Sequence, residues 1–304
     1  MPAMLGPLKL IRPLIAAAGT AGTGWELAEV LNLRCFGAIT TKSITREPRQ
    51  GNPPMRVAEL PTGMLNAVGL ANPGIAMFLR EHRAKLDDLP CDVIGSVAGE
   101  SIEDYVFVAE ALAGSGLAAV ECNVSCPNTD DGRLFSEDPT QLCALVKAVK
   151  AVVGATPLLV KLPLDFQARS TSAQAAIDGG ADMLTLTNTV PGLAIDPDTR
   201  RPRLGKGAGG VSGPGIHPLV VRMVRDVHVN VAGPAGIPIV GLGGVFNWED
   251  AAEMILAGAS AVGIGTALFA DPVRAVRIAD GLDRWVRAQG VESIDALVGA
   301  AEFG

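Results

Sequence analysis

The sequence predicts an α/β fold, a (β/α)8 (TIM) barrel with inserted loops at the C-terminal face. Eight apolar runs rich in β-branched residues recur along the chain, at 13–19, 37–43, 92–99, 118–126, 157–163, 183–189, 237–244 and 261–268. They are almost continuously hydrophobic, as parallel strands buried on both faces must be. The stretches between them, such as 138–153, 171–179, 217–229 and 248–257, carry apolar residues at helical spacing. Eight such alternations make a barrel, and the 304 residues exceed the roughly 250 typical of one.

Each element has a local reason. The first run starts at Pro13 and ends at Gly19-Thr20. Its apolar part, 14–21 after Lys9 and Arg12, superficially resembles the core of a secretion signal, but it is short and opens on proline, so it reads as a strand. The second run ends in Thr41-Lys42-Ser43, and the fourth is stopped by Pro127. The excess length goes mainly into two insertions, 44–72 and 190–214, both rich in proline, glycine and arginine. Each follows a strand and so lies where barrel active sites form, and segments this long are expected to be site walls. No repeat beyond the barrel unit, low-complexity tract or boundary interrupts the chain, so a single domain over 1–304 is expected.

Composition narrows the function. A net charge of -7, aromatics at 4% and no basic stripe argue against nucleic acid. No run approaches the roughly 20 apolar residues of a membrane span. Five scattered cysteines, Cys35, Cys91, Cys122, Cys126 and Cys143, suit a reducing compartment, the cytoplasm, and have neither metal nor cluster spacing. A small-molecule enzyme is expected.

Chemistry collects where strands end. Glu121-Cys122-Asn123-Val124-Ser125-Cys126-Pro127-Asn128 puts two carboxamides and a thiol where a buried strand opens into a loop. A cysteine there is ordinarily a small hydrophobe, and its neighbours raise the case for a base. Lys161 stands in the apolar run Leu158-Leu159-Val160-Lys161-Leu162, where an unpaired ammonium is costly, so it is expected to face an anion. A lysine that snorkels to solvent and a Schiff-base lysine are the competing readings, and Lys42 shares the ambiguity. Gly241-Leu242-Gly243-Gly244 and Gly263-Ile264-Gly265-Thr266 end the last two strands, the usual phosphate site of such barrels.

Taken together, Thr41-Lys42-Ser43, Arg49-Gln50-Gly51-Asn52-Pro53, Asn66-Ala67-Val68-Gly69-Leu70-Ala71-Asn72, Asn123 to Asn128, Lys161, Asn188-Thr189, Gly210-Val211-Ser212-Gly213 and the closing glycine pairs resemble dihydroorotate dehydrogenase, a flavin enzyme of pyrimidine biosynthesis. The likeness runs from about Ala17 to Pro272. A cysteine at 126, where the quinone-linked class has serine, resembles the soluble class. The segments 188–196, 199–202 and 209–214 resemble its NAD-linked branch.

The resemblance implies the following roles. Asn66, Val68, Gly69, Leu70, Asn123, Asn128, Asn188 and Thr189 bind dihydroorotate, with Lys42 at its charged edge. FMN is held by Ala18, Gly19, Lys42, Ser43, Ser96, Asn123, Lys161, Thr187 and Gly213, with its phosphate on Gly243, Gly244, Gly265 and Thr266. Cys126 removes the C5 proton as hydride leaves C6, and Lys161 stabilises the charge gained by the flavin. Electrons then reach NAD+ through a partner subunit carrying FAD and a [2Fe-2S] cluster, in a heterotetramer built on a homodimer. Ser96, Ala18 and Leu164-Asp165 depart from the family pattern. A fumarate-linked homodimer, a flavin reductase of another dihydropyrimidine, an aldolase and a phosphate-binding barrel without activity remain as alternatives.

Overall fold

The structure, a computed structural model, describes residues 1–124 and 135–302. Eight strands, β1 (Leu14–Ala16), β2 (Ala38–Thr40), β3 (Asp92–Val97), β4 (Ala119–Asn123), β5 (Leu158–Leu162), β6 (Met183–Leu186), β7 (Ile239–Leu242) and β8 (Ala261–Ile264), close an all-parallel barrel. Each pairs with its sequence neighbours, and β8 returns to β1 through Val262↔Leu14, Gly263↔Ile15 and Ile264↔Ala16. All eight expected runs are strands, each shorter than its apolar run. The chain leaves the ladder at the run's end to carry polar side chains over the mouth, although single bonds such as Thr187 N–H to Leu242 O (2.8 Å) and Asn188 N–H to Leu162 O (2.9 Å) still tether it.

Outside the barrel lie α1 (Ile102–Gly114), α2 (Pro139–Val153), α3 (Arg169–Asp178), α4 (His217–Val227), α5 (Trp248–Ala257) and α6 (Arg274–Ala288). Their starts are written locally. Asp138 caps α2 with proline at its first position, and Asn247 with Asp250 makes a capping box for α5. The helices pack their apolar faces on the strands to form the larger core, which includes Tyr105, Leu142, Val224 and Ile255.

A second core fills the barrel. Each strand contributes one residue to it: Ile15, Ala38, Ile94, Ala119, Leu159, Met183, Val240 and Ala261. Leu5, Leu8 and Leu10 join them from an antiparallel hairpin, Ala3–Leu5 and Leu8–Leu10, in which buried and exposed residues alternate. This hairpin plugs the bottom of the barrel.

The two insertions are walls, and they are one wall. Val57–Leu60 and Gly63–Asn66 from the first pair with Gly209–Ser212 and Val190–Gly192 from the second in a four-stranded antiparallel sheet. The seam between the insertions is Asn66↔Gly210, Leu65↔Val211 and Met64↔Ser212. Among the described residues, no helix is long and apolar enough to cross a membrane.

Candidate active site

Strand ends and the inserted sheet enclose a cavity of about 670 Å³ at the C-terminal mouth. The floor comes from residues just past the strands: Ala17, Ala18 and Gly19 after β1, Lys42 and Ser43 after β2, Thr187, Asn188 and Thr189 after β6, Gly243 and Gly244 after β7, and Gly265 and Thr266 after β8. Asn123 at the end of β4 and Lys161 within β5 complete it. Asn66, Val68, Gly69, Leu70 and Gly213 reach it from the inserted sheet and its loops.

An amide ladder crosses the floor. Asn188 Nδ2 donates to Asn123 Oδ1 (3.1 Å), and Asn123 Nδ2 donates to Ser43 Oγ (3.2 Å). Asn188 Oδ1 accepts from the Thr189 backbone N–H (2.8 Å). The Asn123 backbone carbonyl is held from behind by the buried Tyr105 hydroxyl at 2.7 Å. These contacts order side chains that can pair with the donors and acceptors of a planar amide ring.

The wall is fastened as firmly. Asn66 Nδ2 donates to Gly210 O (3.1 Å), and Thr266 Oγ1 donates to Ser212 Oγ (2.8 Å), tying the sheet to the end of β8. The 66–70 loop turns through Gly69 (φ 75°), where an added Cβ would stand 2.6 Å from the Asn52 nitrogen. Asn72 anchors it below. Its Oδ1 accepts from the backbones of Thr45 (3.1 Å) and Gly74 (2.8 Å), and its Nδ2 donates to Leu70 O (2.7 Å).

Two lysines give the cavity its charge. Lys161 is only 5% exposed. Among the described residues it has no hydrogen-bond or ion-pair partner. Burial pushes its pKa below the ordinary lysine value, and the Glu121 carboxylate opposes that shift. Burial also lowers the pKa of Lys42, with Arg56 adding to the effect.

The sequence-predicted set is brought together with few exceptions. Cys126 and Asn128 lie outside the described residues. Ser96 is fully buried and is not among the residues that line the cavity. Its hydroxyl lies 2.9 Å from Ser43 Oγ, so it supports the floor from behind. Leu164 and Asp165 are likewise off the cavity, and Asp165 caps a turn through the backbones of Gln167 (2.8 Å) and Ala168 (3.1 Å). Arg49, Asn52, Glu100, Lys206, Phe246 and Phe269 line the cavity although sequence reasoning assigned them no role. Arg49 and Asn52 stand in the quoted 49–53 motif, which was the available signal.

Comparison with known proteins agrees with this geometry. The family model described as dihydroorotate dehydrogenase matches residues 4–286. A protein of Solibacter usitatus carrying the provisional name dihydroorotate dehydrogenase A (fumarate) is 44% identical over 298 residues, 97% of this chain and 96% of its own. The catalytic subunits of dihydroorotate dehydrogenase B (NAD(+)) from Thermoanaerobacter pseudethanolicus and Bacteroides thetaiotaomicron are each 40% identical, over 97% and 98% of this chain and 97% of each relative.

Proposed function

Because the chain belongs to the dihydroorotate dehydrogenase family, we propose that its cavity oxidises dihydroorotate to orotate in pyrimidine biosynthesis, using FMN held on the barrel floor. The observation that carries this reading is the amide ladder of Asn188, Asn123 and Ser43 beside the buried ammonium of Lys161, which has no partner among the described residues.

The residues present fit FMN. The cavity volume of about 670 Å³ falls within the range of cofactor pockets. A buried lysine without a partner among the described residues calls for an anionic or electron-rich neighbour. A Cβ built on Gly265 would meet nothing closer than 3.8 Å, and its neighbours Ala17, Thr20 and Leu242 all line the cavity, so this glycine leaves open space suited to a phosphate. Gly243, Gly244, Gly265 and Thr266 would hold that phosphate, and Ala18, Gly19, Lys42, Ser43, Asn123, Thr187 and Gly213 the rest of the group. When bound, FMN supplies a two-electron acceptor for hydride.

The chain supplies position and charge. Asn66, Asn123, Asn128, Asn188 and Thr189 meet the amide edges of dihydroorotate, and the backbone of Val68, Gly69 and Leu70 with the Lys42 ammonium meets its carboxylate. Cys126 takes the C5 proton as hydride leaves C6. A free thiol titrates near pH 8.5, so turnover rises toward alkaline pH unless the site favours the thiolate. Lys161 stabilises negative charge that develops only during the reaction, where a fixed cation is most effective.

The NAD(+)-type relatives, named as catalytic subunits, support NAD+ as final acceptor and a partner subunit. On this reading the partner is an electron-transfer subunit that carries FAD and a [2Fe-2S] cluster and binds a homodimeric core in the cytoplasm. The fumarate-type relative favours a second reading, a homodimer that reduces fumarate directly. Assays with fumarate and with NAD+, with and without the subunit, separate the two. The primary test is an anaerobic absorbance spectrum before and after dihydroorotate. Bleaching of the flavin band in the wild type is expected. Cys126→Ala retains flavin and loses nearly all turnover, whereas Cys126→Ser retains some, moved to higher pH. Normal turnover in the alanine variant removes Cys126 as the base.

A further inference from the structure

The amide ladder does not stop at the cavity floor. Ser43 Oγ lies 2.9 Å from Ser96 Oγ, and Ser96 Oγ donates to Glu121 Oε1 at 3.5 Å, the longest link. The other carboxylate oxygen, Oε2, accepts from Thr185 Oγ1 at 2.9 Å. Glu121 is 3% exposed and Ser96 fully buried, so the chain of hydrogen bonds ends on a carboxylate inside the barrel.

An ionised carboxylate only accepts hydrogen bonds, and that fixes the sense of the two serine hydroxyls above it. With the Ser96 proton directed at Glu121, Ser96 Oγ accepts from the Ser43 hydroxyl. Ser43 Oγ is then the acceptor for the Asn123 NH2, as the geometry requires. The Asn123 carbonyl is left facing the Asn188 NH2, and the Asn188 carbonyl the Thr189 N–H. The Thr189 N–H demands the same sense of the amides from the other end, so a neutral amide at 121, presenting its NH2 to Ser96, could turn round only the two serine hydroxyls.

Register places the same carboxylate beneath Lys161. Across β4 and β5, Glu121 pairs with Leu159 and Asn123 with Lys161, and across β5 and β6, Lys161 pairs with Thr185. Side chains two apart on a strand share a face, so Glu121 sits one layer below the layer of Asn123 and Lys161. Strand β6 brings only the uncharged Thr185 to this carboxylate. The charged groups on the cavity wall besides Lys161 are Lys42, Arg49, Glu100 and Lys206, and Glu121 is the one whose charge acts on Lys161 among the described residues.

We propose that Glu121 is a positioning residue: from beneath the floor it sets the donor and acceptor sense of the Ser96 and Ser43 hydroxyls on which the Asn123–Asn188 amides rest, and it keeps the Lys161 ammonium charged despite its burial. This rests on the reading of the cavity as a flavin-dependent dihydroorotate site.

The test uses the full-length, FMN-loaded protein and the variants Glu121→Gln and Ser96→Ala. Flavin content, the flavin midpoint potential against pH, and the rate of anaerobic flavin reduction against pH and dihydroorotate concentration are measured. Glu121→Gln is expected to lower the midpoint potential and to move the alkaline limb of the reduction rate to lower pH by about one unit or more, a tenfold change or greater in proton affinity. Ser96→Ala, which cuts the ladder and spares the charge, is expected to raise half-saturation by dihydroorotate several-fold while leaving the alkaline limb in place. A purely structural role for Glu121 would lower flavin content or thermal stability without moving that limb or the potential. Glu121→Gln with the wild-type limb and potential overturns the proposal, and so does Ser96→Ala with wild-type half-saturation, a measurement that stands even if the glutamine variant does not fold. Should the wild-type flavin itself fail to bleach with dihydroorotate, the underlying reading falls, whereas bleaching in the wild type with both variants unshifted removes only the role of Glu121.

Discussion

Gly265→Ala separates what the fold needs from what the ligand needs. Gly265 follows β8, its φ is not in the left-handed region, and a Cβ there would meet only Ala17 at 3.8 Å and Leu242 and Thr20 at 3.9 Å. The protein accommodates the methyl without strain. Reduced freedom of the unfolded chain is then expected to stabilise the ligand-free protein by about 0.4–1 kcal/mol. The methyl projects among residues that line the cavity, into space assigned to the FMN phosphate. Overpacking of that kind costs about 1–3 kcal/mol, which corresponds to about a 5- to 150-fold loss of affinity. The companion Gly244→Ala behaves differently. Its φ is 73°, and a Cβ would stand 2.7 Å from the His217 backbone nitrogen and Cα, so it destabilises the ligand-free fold as well. The assay is a thermal melt of the flavin-free protein paired with FMN titration followed by quenching of flavin fluorescence. Gly265→Ala that melts at or above wild type and binds FMN at wild-type affinity refutes the placement of the phosphate.

Two further outcomes follow from contacts at the same floor. Burial, reinforced by Arg56, lowers the pKa of Lys42, so its ammonium is charged below that lowered pKa and loses charge as pH rises through it, earlier than an exposed lysine. Orotate affinity should therefore fall with rising pH in the alkaline range, and Lys42→Met should bind orotate weakly with that limb flattened; equal affinities and equal pH dependence in the two proteins would contradict it. Tyr105→Phe leaves the buried Asn123 carbonyl without the hydroxyl that holds it at 2.7 Å, which is expected to cost about 1–3 kcal/mol and lower the melting temperature by several degrees, and an unchanged melt would show that the bond contributes nothing.

The barrel was legible because parallel strands buried on both faces are written as uninterrupted apolar runs, and α5 was legible to its last residue, Trp248–Ala257. The pairing of the two insertions was not. Strands such as Val-Pro-Gly and Gly-Gly-Val-Ser carry almost no β-propensity, and their partners lie far away in sequence, so only the assembled sheet reveals them. The N-terminal hairpin escaped for a related reason, since three-residue strands are shorter than the pattern that periodicity can detect. At the site, asparagines, lysines and glycines at strand ends pointed to the cavity correctly, because their position past a strand already fixes which way they face. Ser96 stands inside β3, and only the packed barrel shows that it lies behind Ser43 and off the cavity surface. Glu121 opens the quoted segment Glu121 to Asn128, yet its sequence position gave it no role. A charged residue two positions before Asn123 in an apolar strand was the signal.

The inserted sheet makes the two halves of the chain answerable to each other. Asn66 faces the cavity only while it sits opposite Gly210, and side chains alternate along a strand. A deletion of one residue between β2 and Gly63 that slid the strand past its partner would turn Asn66 outward and present Leu65, now fully buried, to the cavity. The slip would also disturb the close approach at Gly63, where a Cβ would stand 2.0 Å from Ser212 O. Loops over barrel mouths commonly drift in length and are exchanged singly in enzyme engineering. Here the two insertions would have to be transplanted as a matched pair, and a change of substrate preference would have to be written in both at once.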